Sequence, residues 1–563
     1  MQEERLISQA TINNWKRLKV DNKEISTRLT KRANKTFSTK QFVPAEYFSD
    51  NETLKVIEQI TATKKNTETV IYNLGLNLLK SNKLIKINNE KIETENEYIR
   101  EILSEFGQYK IEKELITLEL PQNERDILGV IYQSLLTEGT KNKQGSYYTP
   151  QKIIDKIIKN LPPDAKFLDP CCGTGSFLIS AADIIKNPKN IYGYDLDKTA
   201  CFIAKINLIL KYKNIKFRPN IFNKDFLLDN SKIKADIIAT NPPWGAMLNP
   251  EYKKAFKDIK SGESFSYFIK KSAEKITNNG RLHFVLPESI LNVKRHRDIR
   301  AFILGNFHIS EIELEGKAFS QVLTDVVTLC LDKNMTNSEI IIKSDRKIYK
   351  LNQDFYNKNS KNNFSILDNK DVEILEKIYT HPHLTLKDKS QWGLGIVTGN
   401  NSKFISENSK NKEKIYSGKN IKKGQIQESS KHIEFIPKNF QQCAPEAIYR
   451  AEEKLVYKFI SKKLVFAYDN QKRLFLNSAN ILIPNIEGYS IKSAMAFLNS
   501  TVFQYIYTKK FNELKVLKGN LSELPFPIYD KNKYKNLTDE DIFKIFNLTD
   551  EEIKYIKNEI GAK

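Results

Sequence analysis

The sequence predicts a doubly wound α/β fold with a largely parallel sheet. Two observations indicate it: short apolar runs alternate with amphipathic stretches from about residue 126 onward, and polar motifs follow several of those runs. Alternating β and α segments favour parallel strands, because each helix returns the chain to the same edge of the sheet. Ligands of such sheets bind beyond the carboxyl ends of the strands, so we expect the functional site at that edge.

Five apolar runs are candidate strands, and five amphipathic segments around them are candidate helices. The expected strands are residues 166–168, 191–194, 235–239, 282–286 and 326–329. The expected helices lie near 151–161, 176–186, 198–211, 263–278 and 295–304.

A chain of 563 residues with 40% hydrophobic content is long enough for two to four domains. Residues 8–18 resemble a small helix-turn-helix within a segment 1–48, with an ordinary amphipathic helix as the alternative. The remaining predicted segments are a helical arm (49–125), the α/β domain (126–345), a polar linker (346–375), a mixed α/β domain (376–530) and a helical tail (531–563).

The formal net charge of +22 indicates a polyanionic partner, of which nucleic acid is the commonest. The alternative is that an AT-rich genome supplies the many lysines. The five cysteines and six histidines are scattered without ligand spacing, so we expect reduced thiols and no metal. Neither a signal peptide nor an apolar run of about 20 residues is present, so we expect a cytoplasmic protein without membrane contact.

The segment Asp169-Pro170-Cys171-Cys172-Gly173-Thr174-Gly175 reads as a strand end, a tight glycine turn and a helix start. Glycines let a backbone approach a ligand closely. The spacing differs from the dinucleotide G-x-G-x-x-G pattern, and the acidic residue would repel a pyrophosphate. The loop instead suits a ligand with a positive centre and an amino-acid tail, such as S-adenosylmethionine.

Two further acidic residues, Asp195 and Asp225, are candidates for contact with a cofactor. Asp195, with Leu196 beside it, ends the second strand, where a carboxylate can accept both hydroxyls of a ribose. Asp197 suits the alternative role of helix N-cap. Asp225-Phe226 could hold a cofactor adenine by its amino group and by its face.

Asn241-Pro242-Pro243-Trp244 follows the apolar strand 235–239. Two prolines fix φ and remove two N–H donors, so the turn is stiff and presents an amide, carbonyls and a flat ring. This set suits a planar group that carries an NH2. The alternative is a chance proline turn.

Tyr148-Thr149-Pro150 precedes the first expected helix of the α/β domain. Thr149 is a natural N-cap and Pro150 a natural first helical residue, so simple capping explains the pair. The functional alternative is a lid segment that packs against the cofactor.

Together these motifs resemble the gamma-class DNA N6-adenine methyltransferases of type II restriction–modification systems, TaqI-like enzymes in particular. The order agrees: the Y-T-P segment, the cofactor loop, the ribose acid, the D-F pair and the N-P-P-aromatic turn precede the C-terminal domain. Trp244 replaces the commoner Tyr or Phe. By resemblance, Phe319 supplies the other face of the target base, and 498–500 (L-N-S) and 524–527 (L-P-F-P) mark a target recognition domain.

The resemblance implies a Rossmann-like methyltransferase sheet and transfer of a methyl group from S-adenosylmethionine to N6 of a flipped-out adenine in double-stranded DNA. The implied partner is double-stranded DNA, with either a separate cognate endonuclease or none, and no metal is implied. Alternatives are a methyltransferase of RNA or of a protein amide, a non-catalytic DNA-binding or specificity subunit, a modification subunit that needs a partner, and a single-chain enzyme with its own nuclease. Basic candidates for DNA contact are Lys419, Lys422, Lys423, Lys463 and Lys515.

Overall fold

The structure is a computed structural model with two compact units, Met1–Phe364 and Ser365–Lys563. It describes residues 52–63, 65–121, 125–136, 149–245, 249–319, 324–334, 336–344, 347–358, 362–410, 412–511, 515–530 and 537–561. The helix-turn-helix predicted at 8–18 lies outside these residues.

The arm that precedes the sheet is mainly helical, as predicted, but it also contains a hairpin. Its helices are α1 (Glu52–Ala62), α2 (Thr67–Ser81), α3 (Glu97–Phe106) and α4 (Lys113–Ile116), and its strands are β1 (Lys86–Asn88) and β2 (Lys91–Glu93). Helix α5 (Ile127–Leu135) follows the arm, at the start of the predicted α/β domain. Asn89 and Glu90 turn the hairpin with φ of 47° and 61°, the left-handed conformation that two-residue hairpin turns favour. Phe106 of α3 stacks on Phe202 of the sheet domain with 4.1 Å between ring centroids, so the arm shares the core of this unit.

The first unit is built on a nine-stranded sheet whose order is β11-β10-β8-β9-β7-β6-β3-β4-β5. Its strands are β3 (Phe167–Asp169), β4 (Ile191–Asp195), β5 (Asn220–Asn223), β6 (Ala235–Thr240), β7 (Ile276–Pro287), β8 (His308–Gly316), β9 (Val326–Asp332), β10 (Glu339–Ser344) and β11 (Lys347–Asn352). Strands β5, β4, β3, β6 and β7 are parallel, whereas β9 runs antiparallel to both β7 and β8.

The strand order reverses between β3 and β6. From β3 the chain proceeds outward through β4 to β5, and it then returns to the other side of β3 as β6. Such a reversal opens a crevice at the carboxyl ends of the two strands, because the following connections leave in opposite directions. The helices of this unit are α6 (Gln151–Ile158), α7 (Ser176–Ala182), α8 (Lys198–Lys211), α9 (Pro250–Ala255), α10 (Ser264–Lys275), α11 (Arg297–Asn306) and α12 (Asp354–Lys358).

All five predicted strands and all five predicted helices of this sheet are present, shifted at their ends by a few residues. Strands β5, β8 and β10 were not predicted. The expected linker 346–375 contains β11, which pairs along its length with β10, and the beginning of the next helix. Its polar exposed face made this edge strand look like a loop.

The second unit contains small, mostly antiparallel sheets, of which the two largest have orders β13-β22-β19-β20 and β14-β18-β15-β21. Its strands are β12 (His383–Leu384), β13 (Ser390–Gly393), β14 (Ile405–Ser406), β15 (Glu413–Tyr416), β16 (Ile421–Lys422), β17 (Gln425–Ile426), β18 (His432–Ile433), β19 (Lys454–Lys458), β20 (Phe466–Asp469), β21 (Leu474–Phe475), β22 (Ala479–Pro484) and β23 (Phe526–Pro527). Its helices are α13 (Asn369–Thr380), α14 (Asn401–Phe404), α15 (Glu446–Tyr449), α16 (Ile491–Leu498), α17 (Thr501–Lys510), α18 (Lys518–Leu521), α19 (Asp539–Ile545) and α20 (Asp550–Gly561).

The predicted L-N-S and L-P-F-P segments each bond to a distant strand or strand residue of this unit. Asn499 exchanges two hydrogen bonds of 2.9 Å with the backbone of Phe466, and Ser500 caps α17. Strand β23 in the L-P-F-P segment pairs with β12. A buried ion cluster joins three helices, with Lys509 donating to Asp371 and Glu559 at 2.7 Å each.

Candidate active site and nucleic-acid interface

The ends of β3 and β6 are joined by hydrogen bonds at the point where the strand order reverses. The Thr240 hydroxyl, at the end of β6, donates to Asp169 Oδ1 at 2.6 Å. Cys171 Sγ lies 2.8 Å from Thr240 Oγ1 and 3.4 Å from the backbone oxygen of Asn241. The predicted cofactor loop and the predicted catalytic turn are therefore in direct contact.

Asp169 is 1% exposed, and its Oδ1 also accepts the Cys171 backbone N–H at 3.1 Å. Burial raises the pKa of Asp169 to about 7, although the hydrogen bonds from Thr240 and Cys171 oppose the shift. The carboxyl thus braces β3 against β6. A ligand-binding role for Asp169 stays a prediction, and it concerns Oδ2, because Oδ1 already accepts the two hydrogen bonds from Thr240 and Cys171.

The glycine loop turns directly after buried Pro170. Gly173 and Gly175 have φ of 53° and 99°, a region that other residues rarely adopt. A Cβ at Gly173 would meet no atom within 4 Å, whereas one at Gly175 would lie 3.3 Å from Ala204. Gly173 therefore leaves one side of the loop open, and Gly175 allows the loop to pack on α8.

Asp195, at the end of β4, is fastened to the same loop. Its Oδ2 accepts the Gly173 backbone N–H at 2.8 Å, and its Oδ1 accepts that of Asp197 at 2.9 Å. Burial raises the pKa of Asp195 to about 6, which those N–H donors oppose. The adjoining Leu196 side chain is 69% exposed, so an apolar surface lies next to the carboxylate in sequence. Asp197 caps α8, as predicted.

The Asp225-Phe226 pair is occupied by protein contacts. Asp225 caps a short 3-10 helix through Oδ1 and accepts the Tyr252 hydroxyl through Oδ2 at 2.7 Å. Phe226 is 2% exposed and packs between Tyr194 and Phe268, with ring centroids 5.4 Å and 6.0 Å away. This packing disfavours the predicted stacking role of Phe226, because little of its side chain is left exposed.

The Asn241–Trp244 turn extends from β6 and is held at several points. Pro242 is buried, while Asn241, Pro243 and Trp244 are half-buried. The Ser264 hydroxyl donates to the Pro243 carbonyl, and the Trp244 indole N–H donates to the Val285 carbonyl at 3.3 Å. These bonds fix the turn and the plane of the indole ring.

Phe319 is close to Trp244, but not in the predicted arrangement. The two ring centroids lie 5.3 Å apart with an interplanar angle of 83°, and Phe319 is 3% exposed. A base sandwiched between two rings needs about 3.5 Å on each face, and these rings touch edge to face. Phe319 therefore supports Trp244 in this structure, and its role as the second face of a base pocket stays a prediction.

Helix α6 begins at Gln151, with Pro150 as the cap residue and no side-chain capping bond. The predicted capping by the Thr149 hydroxyl is thus wrong, and Thr149 is instead buried at 5% exposure. Tyr148 lies outside the described residues.

Four contacts of this site were not expected from the sequence: Thr240 with Asp169, Tyr252 with Asp225, Ser264 with Pro243, and the Val285 carbonyl with Trp244. Thr240 could have been found, since it is a hydroxyl immediately before the Asn241 motif at the end of a buried strand. The other partners are up to 41 residues away in sequence and carry no local signal.

The second unit has a polar cleft of about 900 Å³. Its lining is rich in hydroxyl, amide and ammonium groups, including Ser417, Lys419, Asn420, Lys431, Asn477 and Ser478. The five basic candidates are all exposed, and none of them forms an ion pair with another described residue. Lys419 lines the cleft, and Lys422 and Lys423 lie at the β16–β17 turn beside it.

Within the described ranges, no group of three His, Cys, Asp or Glu side chains is arranged to hold a metal ion. In the same part of the chain no helix combines the length and apolar character needed to cross a bilayer.

Two family models match this chain. The N-6 DNA methylase model covers residues 123–422, more than half of the sequence, and the TaqI-like C-terminal specificity domain model covers 413–526.

Similar proteins include the type II methyltransferase M.VspI of Vibrio sp. (strain 343), 36% identical over 289 residues, which are 49% of this chain and 70% of that protein. The type II methyltransferase M.AccI of Acinetobacter calcoaceticus is 24% identical over 316 residues, 50% of this chain and 56% of that protein. The methylase subunit of the Escherichia coli type I restriction enzyme EcoEI is 26% identical over 187 residues, 30% of this chain and 38% of that subunit.

Two solved structures share the fold. The type ISP restriction–modification enzyme LlaBIII has a TM-score of 0.53 at 12% identity, over 93% of this chain and 48% of that one. The type IIL restriction–modification enzyme MmeI has a TM-score of 0.52 at 14% identity, over 93% and 86%.

The predicted α/β methyltransferase fold and the predicted family are both confirmed by these matches. With its specificity domain and a sheet whose motifs meet where the strand order reverses, the chain belongs to the N-6 DNA methylase family and is a restriction–modification-type DNA adenine methyltransferase.

Proposed function

We propose that Asn241, Pro242 and Trp244 hold the target adenine, and that the glycine loop with Asp195 binds S-adenosylmethionine. The supporting observation is the contact between the two motifs: Cys171 of the loop touches both Thr240 and the Asn241 backbone, and the loop N–H of Gly173 bonds Asp195. A methyl donor and an acceptor base must meet at one point, and these contacts bring their proposed holders together.

The residues of the loop fit this cofactor. Gly173 leaves an open face for close backbone approach, and the ionised Asp195 has lone pairs left for ribose hydroxyls beyond its two backbone bonds. The exposed Leu196 offers an apolar surface for the adenine ring of the cofactor. When bound, S-adenosylmethionine supplies an electrophilic methyl group on a sulfonium centre.

An adenine inside a stacked duplex is out of reach, so the target base must be flipped out. Stacking on Trp244 returns about 1–3 kcal/mol of the flipping cost. The indole is pre-oriented by its bond to Val285, so little ordering is needed when the base arrives.

The Asn241 side-chain oxygen and the Pro242 carbonyl accept the two N6 hydrogens. Both bonds favour a pyramidal nitrogen whose lone pair is free to attack. The Ser264–Pro243 bond and two prolines keep these acceptors in place, so they act as preorganised dipoles. A strong base is unnecessary, because the methylated nitrogen becomes acidic and loses its proton afterwards.

We further propose that the cleft of the second unit lies against the DNA duplex. Its amide and hydroxyl groups suit base edges in the major groove, and its lysines suit phosphates. A separate cognate endonuclease and a cytoplasmic location complete the proposal, and both rest on the resemblance to type II modification enzymes.

The test is methylation of plasmid DNA by the purified protein with labelled S-adenosylmethionine, read by nucleoside mass spectrometry and single-molecule sequencing. N6-methyladenine at one short motif supports the proposal and supplies the recognition sequence. Label on RNA or on protein amides would show that one of these, and not DNA, is the substrate. Cofactor binding without any labelled product would indicate a missing subunit.

Two substitutions test the residue roles. Asn241→Ala should abolish methylation with little loss of cofactor affinity, whereas Asp195→Ala should weaken cofactor affinity measured by calorimetry. Asn220→Ala, at the amino end of β5 and so away from the site, is the matched control. Equal loss of both functions in Asn241→Ala, or unchanged cofactor affinity in Asp195→Ala, would refute the corresponding role.

A further inference from the structure

We propose that the α5 segment, at the start of the α/β domain, completes the cofactor site: Asp126 and Tyr132 are positioning residues that hold the glycine loop and Asp195 in register. This inference rests on the proposed function, because it takes the loop and Asp195 to bind S-adenosylmethionine. No role was predicted for this segment from the sequence.

Asp126 ties α5 to the glycine loop. It is 2% exposed, and its Oδ2 accepts the hydroxyl of Thr174 at 2.5 Å. Thr174 stands between Gly173 and Gly175, the two loop residues with positive φ. The buried Asp126 carboxylate therefore holds the midpoint of the glycine loop by a hydrogen bond.

The same carboxylate is held from two other directions. Its Oδ1 accepts the Gly129 backbone N–H at 2.9 Å and the Asn207 amide of α8 at 2.8 Å. Asn207 also donates to the Thr174 carbonyl at 3.0 Å. The loop, α5 and α8 thus meet at one buried polar point, where a misplaced group is costly.

The approach of α5 to the loop is close enough to require a glycine. A Cβ on Gly129 would lie 2.0 Å from Asp126 Oδ2 and 2.4 Å from Thr174 Oγ1. Real atoms do not approach so closely, so a side chain at position 129 would displace the Asp126 carboxylate and the Thr174 hydroxyl and break the bond between them.

Tyr132, on the same helix, reaches the second half of the cofactor site. Its hydroxyl donates to Asp197 Oδ2 at 2.5 Å, and the Asp197 backbone N–H donates to Asp195 Oδ1 at 2.9 Å. Burial, together with the nearby Asp197 carboxylate, raises the pKa of the Tyr132 phenol, so it remains a donor at neutral pH.

These bonds close a ring. From α5 the ring passes through Asp126 and Thr174 to the loop, from Gly173 to Asp195, and from Asp197 through Tyr132 back to α5. Because hydrogen bonds fix distance and direction, the position of α5 sets the separation between the loop and the ribose acid. Removing either bond to α5 should therefore weaken cofactor binding without touching the target-base turn.

The experiment compares Tyr132→Phe and Thr174→Val with Thr174→Ser, all in the full-length protein. Affinity for S-adenosylmethionine is measured by calorimetry, and kcat, KM for the cofactor and Tm are measured alongside. Tyr212→Phe is the matched control: it removes a phenol bond of 2.5 Å to the Ile185 carbonyl at the C-cap of α8, the end of this 14-residue helix opposite to Asp197.

We expect Tyr132→Phe and Thr174→Val each to raise Kd and KM for the cofactor about 10-fold, since each removes a bond to a carboxylate, while kcat changes little. Thr174→Ser should recover most of the affinity that Thr174→Val loses. Tyr212→Phe should lower Tm without changing Kd.

An unchanged Kd in both loss variants, or the same rise in Kd in Tyr212→Phe, would overturn the inference and leave α5 a structural element only. Failure of the wild-type protein to bind S-adenosylmethionine would instead refute the proposed function, so the two failures are distinguishable.

Discussion

Replacing Asp169 with asparagine should stabilise the free protein above neutral pH. The carboxyl is buried, and its pKa is raised from 3.8 to about 7. Each pKa unit corresponds to about 1.4 kcal/mol, so the ionised carboxylate costs the folded state about 4 kcal/mol at high pH. Asparagine has nearly the same shape, can still accept the Thr240 hydroxyl and has no charge to bury.

The sign of the pH dependence follows from proton counts. Between pH 4 and 7 the unfolded chain has lost this proton while the folded chain retains it, so the stability contributed by Asp169 falls as pH rises. From pH 5 to pH 8 that loss amounts to about 2.5 kcal/mol for a pKa shift of this size. Asp169→Asn lacks this dependence, so its advantage over the wild type should grow by that amount.

The assay is urea unfolding of the wild type, Asp169→Asn and the exposed control Asp164→Asn at pH 5, 6, 7 and 8. For each variant, the difference from the wild type in the free energy of unfolding is taken at every pH, and the change of this difference with pH is compared. Any effect of the new amide that does not depend on pH then cancels. An Asp169→Asn difference that stays constant across this range, as expected for the control, would refute the burial argument.

The buried Asp169 carboxylate destabilises the free protein, and its presence is explained if the positive charge of the bound cofactor offsets its negative charge. Binding of the positively charged cofactor near Asp169 should then lower its pKa and release a proton near pH 7. Calorimetry in two buffers of different ionisation enthalpy measures that proton, which Asp169→Asn should not release. Equal release by both proteins would place the positive centre of the cofactor away from Asp169.

Three further outcomes are expected. Trp244→Ala should lower the methylation rate by the equivalent of about 1–3 kcal/mol of lost stacking, and Trp244→Phe should lose less, as measured by single-turnover kinetics at saturating cofactor. Lys509→Met leaves Asp371 and Glu559 buried without their shared cation, so it should destabilise the protein by about 3–5 kcal/mol in thermal unfolding while cofactor affinity is retained. Lys419→Gln should weaken DNA binding and reduce the slope of log K against log salt by about 1 if the lysine contacts a phosphate, and an unchanged slope would exclude that contact.

The elements that could be predicted from the sequence are those with a complete local signal. Strands β6 and β9 are mostly buried and appear as largely apolar runs. The start of helix α8 could be predicted from Asp197, which caps the helix as expected. Edge strands lack such signals: β5 has four residues with one fully buried, and β11 alternates polar and apolar residues within a lysine- and asparagine-rich stretch.

The same division holds inside the site. Asp195 and Asn241 could be identified because each follows a recognisable strand, and a parallel sheet brings the ends of such strands to one edge. Ring orientations could not be predicted this way. Phe226 and Phe319 stand in motifs that suit ligand stacking, yet both are buried against other aromatic rings, and only tertiary packing decides which face of a ring remains open.

The ring through α5 shows why the supporting residues of a site are harder to find than its ligand-facing ones. Thr174 and Asp126 are 48 residues apart, and Tyr132 and Asp197 are 65 apart, so no spacing rule joins them. A buried carboxylate is tolerated only where donors surround it, and here the donors come from three separate elements. A buried carboxylate needs hydrogen-bond donors, but it does not need them at a particular spacing in the sequence. Its partners can therefore come from any part of the chain that the fold brings close. The motifs thus specify where the chemistry occurs, while nonlocal contacts set the geometry in which it can proceed.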